Sequence, residues 1–87
     1  MTKKALLQAI DVIRRMFEDY INSDPQEYKC LVEACIREAK SLHETVGVFF
    51  MAGIIKDKTY KAWSTITYDF IEELREDHHK VYGYRYI

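Results

Sequence analysis

From Tyr28 to Gly53 the residues Tyr28, Val32, Cys35, Ala39, Leu42, Val46, Phe49 and Gly53 recur at alternating steps of four and three without a miss. All are apolar, aromatic or small, and that alternation marks one face of a helix. The spacing predicts a single helix over 25–52, about 42 Å long at about 1.5 Å per residue. In a chain of 87 residues such a rod dominates the fold, and the remaining segments must pack along it.

Two shorter patterns flank it. Over 2–21, Leu6, Ala9, Ile10, Ile13, Phe17, Tyr20 and Ile21 share one face, with Lys4, Gln8, Asp11, Arg15, Glu18 and Asp19 opposite, which is an amphipathic helix. Asn22-Ser23 favours a turn. Asp24, Pro25 and Glu27 then combine an N-cap, a first-turn proline and an acidic residue three beyond the cap, a strong start signal for the second helix. Gly47 inside that helix costs about 1 kcal/mol relative to alanine, and the helix is expected to run through it. Gly53 ends it in a left-handed conformation. Asp57 is the expected cap of a third helix over 57–82, with Tyr60, Trp63, Ile66, Phe70, Leu74 and Val81 inward, Thr67, Ile71 and His78 flanking them, and Gly83 as the stop. The connections are short, so helices two and three should be antiparallel neighbours. The fold expected over 1–87 is one all-α domain, a three-helix bundle with two long antiparallel helices.

Charge and composition exclude several classes. The 13 basic and 14 acidic residues are dispersed along the chain, so no general polyanion-binding surface is expected. The longest apolar run, Val46 to Ile55, contains two glycines and is about half of what a membrane-crossing helix needs. No signal-peptide pattern opens the chain, and a cytoplasmic protein without a membrane partner is expected. Cys30 and Cys35 lie on one helix with side chains about 140° apart, so they read as two free thiols.

Candidate chemistry is sparse. Glu76-x-x-His79, with Glu72 one turn earlier, is the step used by carboxylate-bridged metal bundles, but those sites need a second such step and two further glutamates. The chain has one. A pairing of Cys30 with the His78–His79 end would need a cleft and a lowered thiol pKa, which a small bundle does not provide. His43 has no neighbour in sequence to act as a second ligand. The residues from Asp69 to Asp77 form an acidic ridge, read as a solvated face. No catalytic residue, metal site or cofactor is expected.

The expected role is therefore non-catalytic: a small regulatory or adaptor protein that binds and modulates another protein and self-associates as a homodimer. Three surfaces carry that expectation. Ala34, Ser41, Thr45, Val48 and Ala52, with Cys30, form a stripe of small residues on the far side of helix two, interrupted by Arg37. Phe50, Met51, Ile54 and Ile55 make an apolar corner after it, and exposed apolar patches mark interaction sites. Tyr84 and Tyr86 belong to a tail that also holds Tyr82 and Arg85, residue types enriched in binding hot spots, although the same tail can fold back as cover for the bundle. An alternative reading makes the chain a nucleic-acid-binding regulator using Lys56, Lys58 and Lys61 at the second corner. Nucleic acid is disfavoured because the exposed face of the third helix is acidic. In general look, a compact charged helical chain with a Gly-Ile-Ile corner before its last helix is similar to many small proteins of phages and mobile elements, and that resemblance implies a modulator of a host enzyme.

Overall fold

A computed structural model describes residues 1–87. Thr2 opens the first helix, α1 (Lys3–Ser23), by accepting the Ala5 N–H on its side-chain oxygen at 3.1 Å. Ser23 closes it two residues later than its apolar pattern implies, its hydroxyl donating to the Asp19 carbonyl at 2.6 Å.

The second helix starts later than expected. Asp24 does cap, its carboxylate accepting the Glu27 N–H at 3.1 Å, but it caps only one turn, and α2 spans Lys29–Met51. The reason lies outside the segment: the Pro25 carbonyl accepts a 2.6 Å bond from the Tyr82 hydroxyl of the third helix, and Tyr28 leaves helical geometry at φ −94°, ψ 14°. Beyond that break α2 runs unbroken through Gly47. A Cβ built on Gly47 meets nothing within 4 Å. Gly47→Ala is accordingly expected to raise the unfolding free energy by about 0.5–1 kcal/mol, read as a higher midpoint in urea; a lowered midpoint would mean that residue 47 is not helical.

Gly53 ends α2 at φ +77°, and the N–H groups of Ile54 and Ile55 both turn back to the Phe49 carbonyl, at 2.9 and 3.4 Å. The third helix, α3 (Asp57–Tyr82), is capped at Lys56 without a side-chain bond. Asp57 is thus its first residue and not its cap. From there its carboxylate pairs with Lys61 at 3.0 Å and complements the positive end of the helix. Gly83, at φ +80°, stops α3.

The three helices form an up-down-up bundle of all-α architecture, 42 × 22 × 15 Å. Val32, Cys35, Ala39 and Val46 of the four-and-three row are buried between Leu6, Ile10 and Phe17 of α1 and Trp63, Phe70, Ile71 and Leu74 of α3. Ala39 is fully buried; with no bulk beyond Cβ it lets the helices approach closely. Two polar side chains, Thr67 and His78, are buried with them. Thr67 is satisfied inside the core: its hydroxyl donates to the Trp63 carbonyl at 2.9 Å and meets His43 Nδ1 at 2.6 Å. No helix is long and apolar enough to cross a membrane.

Candidate functional site

α2 presents three faces, one to each neighbouring helix and one outward. The outward face carries the expected stripe. Ser41 and Ala52 are exposed, Ala34 and Thr45 half-buried, and Val48 exposed. The Thr45 hydroxyl is turned back onto the Ser41 carbonyl at 2.9 Å. On the α1 side the stripe borders a shallow apolar groove of about 90 Å³ lined by Ile13, Met16, Tyr20, Leu31, Ala34, Cys35 and Glu38. That volume is below what a cofactor requires. Cys35 forms part of the groove but is buried, and burial followed by the Glu38 charge pushes its thiol above the usual range, so it is a poor nucleophile. Cys30 is exposed on the other edge.

The far border is built by the tail. After Gly83 the chain reverses and runs back along α2, Tyr84 at Glu33 and Tyr86 at Arg37. The Tyr84 hydroxyl donates to Glu33 Oε2 at 2.7 Å, and Arg37 Nη1 donates to the Tyr86 hydroxyl at 2.7 Å. Lys29 Nζ sits 4.8 Å from the Tyr84 ring centroid, a cation–π distance. Arg85 reaches Glu72, which also accepts from Arg75 at 3.0 Å. Bonds from Arg75 and Arg85 hold the Glu72 carboxyl below its ordinary range, while Arg75 Nε is buried without a partner. The tail is therefore cover, and it still leaves Tyr84 exposed beside Glu33 and Tyr86 half-buried beside Arg37.

His78 anchors this reversal. Its ring is fully buried, with Nε2 2.9 Å from Glu33 Oε2 and Nδ1 3.2 Å from the Tyr84 carbonyl. Both partners are acceptors. The rings of Tyr82, Tyr84 and Tyr86 surround it at centroid distances of 4.5, 5.1 and 5.6 Å. Burial raises the Glu33 pKa, but the bonds from Tyr84 and His78, the His78 charge and Lys29 outweigh it, and the carboxyl ends below its ordinary range. Sequence reasoning placed His78 only on the flank of the apolar face. No linear signal couples it to Glu33, 45 residues earlier.

The corner lies at the opposite end of the bundle from the tail. Met51 and Ile54 are 85% and 62% exposed. The Phe50 ring stacks on Tyr60 with centroids 4.3 Å apart and planes 15° apart. Ile55 does not belong to this surface: it is 9% exposed and part of the core, because the bond from its N–H to the Phe49 carbonyl turns its side chain inward. Up-down-up topology also places Lys3 and Lys4 at the same end as Lys56, Lys58 and Lys61, a gathering that the dispersed linear charge pattern conceals.

The other chemical candidates stay apart. Glu76 and His79 are exposed on α3, and no group of three or more histidine, cysteine or acidic side chains gathers to hold a metal ion. The acidic ridge is partly neutralised across helices, Glu73 taking two bonds from Arg14 of α1 at 2.9 and 3.3 Å. Between these helices runs a trough open to solvent, lined by Lys3, Lys4 and Arg14 against Asp11, Asp69 and Glu73, with no single sign of charge to select a ligand.

The fold and these surfaces define an all-α three-helix bundle with a tail clamped over its central helix. Set against protein-family models, curated proteins and solved structures, the chain matches none.

Proposed function

We propose that this chain is a non-catalytic protein-interaction module, a small regulatory or adaptor protein that self-associates through the outward face of α2. The observation that supports this reading is the composition and shape of that face. A stripe of small side chains runs between apolar Met16 and Leu31 on one border and Tyr84, Tyr86 and Arg37 on the other. Methionine, tyrosine and arginine are the residue types enriched at protein interfaces, and small residues let a second helix approach closely.

Light scattering over a concentration series tests it. The wild type is expected to reach twice the 10.4 kDa chain mass, and Ala34→Arg, which thrusts a long cation into the stripe, to stay monomeric with an unchanged helical spectrum. A wild type that remains monomeric throughout removes self-association. Failure of photo-crosslinkers at residues 41 and 48 to capture any protein in cell extract would remove the interaction reading altogether.

A further inference from the structure

The end of the bundle opposite the tail has a composition unlike the rest of the molecule. Residues 1–9 and 45–63, which the topology brings to that end, hold five of the eight lysines, none of the five arginines and one of the 14 acidic residues. The lysines are Lys3, Lys4, Lys56, Lys58 and Lys61, all exposed. The single acid within these segments, Asp57, is paired with Lys61, and Lys3 and Lys4 stand at the trough that Asp11, Asp69 and Glu73 also line, so Lys56, Lys58 and Lys61 carry the charge of the corner itself. A chain of net charge −1 is thus folded into a rod with a cationic tip of 22 by 15 Å cross-section and a net acidic remainder.

At the tip stand Met51 and Ile54, the former 85% exposed, projecting from the turn that Gly53 allows. Behind them the stacked Phe50 and Tyr60 rings form a part-exposed aromatic shelf. We infer that this tip is a docking surface for an anionic lipid bilayer, with Met51 and Ile54 entering the headgroup–acyl boundary and Lys56, Lys58 and Lys61 engaging lipid phosphates and carboxylates.

Charge complementarity and residue type decide in favour of a bilayer over the alternatives. Protein interfaces are depleted in lysine and enriched in arginine, and this tip has lysine only. Nucleic-acid sites add to their phosphate-binding lysines and arginines a set of polar side chains that read base edges, whereas the centre of this surface is bare aliphatic side chain. An exposed apolar knuckle followed by three exposed lysines suits a bilayer, where apolar groups sink about 5–10 Å and cations meet the negative surface. Since no helix is able to cross a membrane, the contact is peripheral. The tip is distinct from the outward face of α2, so this inference stands or falls independently of self-association.

Flotation with phosphatidylcholine vesicles containing about 30 mol % phosphatidylserine tests it. In dilute salt the wild type is expected to float with these vesicles and not with pure phosphatidylcholine, and to be released at high salt. Lys56→Gln/Lys58→Gln/Lys61→Gln should lower the partition coefficient roughly a hundredfold, at roughly fivefold per lysine. Met51→Ser/Ile54→Ser should lower it about tenfold or more. Every one of these side chains is exposed, so the helical spectrum should not change. Absence of flotation in dilute salt overturns the inference. So does binding to a short DNA duplex that equals vesicle binding and ignores the Met51/Ile54 change, which would make the tip a nucleic-acid contact instead.

Discussion

Replacing His78 with alanine is expected to lower the unfolding free energy by about 3–4 kcal/mol, and the melting temperature by about 15–25 °C. Three losses combine. The imidazole is fully buried, so its removal leaves a cavity among the tyrosine rings. The Tyr84 carbonyl loses its donor, and the tail loses the bond nearest its reversal. The Glu33 carboxylate, 15% exposed, keeps the Tyr84 hydroxyl but loses the ring, and a poorly satisfied buried charge is costly. His79→Ala, one residue away and exposed, should change stability by no more than about 0.5 kcal/mol. Equal, small effects at the two positions would show that the Glu33–His78–Tyr84 network is not what holds the tail.

The same network sets an acid limit. Glu33 sits below its ordinary pKa in the folded protein, so the unfolded chain binds a proton there first as the solution is acidified. Its contribution is complete above the ordinary carboxylate value and fades as the pH falls through the lower folded value. The slope of stability against pH in that range should be shallower in Glu33→Gln and in His78→Ala than in the wild type, measured by urea unfolding at stepped acidic pH. The Glu72 carboxylate, held down by Arg75 and Arg85, adds to the wild-type slope in the same direction and remains in both variants.

Phe17→Ala is expected to cost about 3–5 kcal/mol. Phe17 is among the largest fully buried side chains and carries much of the contact by which α1 enters the core. A chain of this length has a total stability of about 4–13 kcal/mol, so the variant should be substantially unfolded at moderate urea and near its melting point in warm buffer. Met16→Ala, its neighbour on the partly open α1–α2 groove, should stay within about 1 kcal/mol. Circular dichroism against urea reads both; an unaffected midpoint for Phe17→Ala would contradict the packing of α1 described above.

The contrast between Phe17 and Met16 was visible in the amphipathic pattern, because burial along one helix follows from its 3.6-residue repeat. Stops at Gly53 and Gly83 were equally visible, since a left-handed residue is a local requirement that glycine meets. The start of α2 was misplaced for the opposite reason. Asp24 and Pro25 carry a sound local start signal, but the Tyr82 hydroxyl, 57 residues later, takes the Pro25 carbonyl and holds the first turn apart from the helix. Asp57 was likewise assigned the cap on residue type alone, where the backbone puts it one position inside.

The outward stripe of α2 was legible as a stripe, but its borders were not, because the tail that forms one of them is placed by Glu33, Arg37 and His78 from two helices. The lysine end was illegible for a related reason: Lys3 and Lys4 lie more than 50 residues from Lys56 in sequence, and only the up-down-up path brings their segments to one end of the bundle. Helix count, helix faces and helix ends are thus short-range consequences of residue order, set by hydrogen bonds and side-chain spacing within a few turns. The axial register and rotation of one helix against another depend on interlocking side chains across the whole core, and they decided that His78 meets Glu33, while the up-down-up path gave a chain with dispersed charge a lysine-rich end.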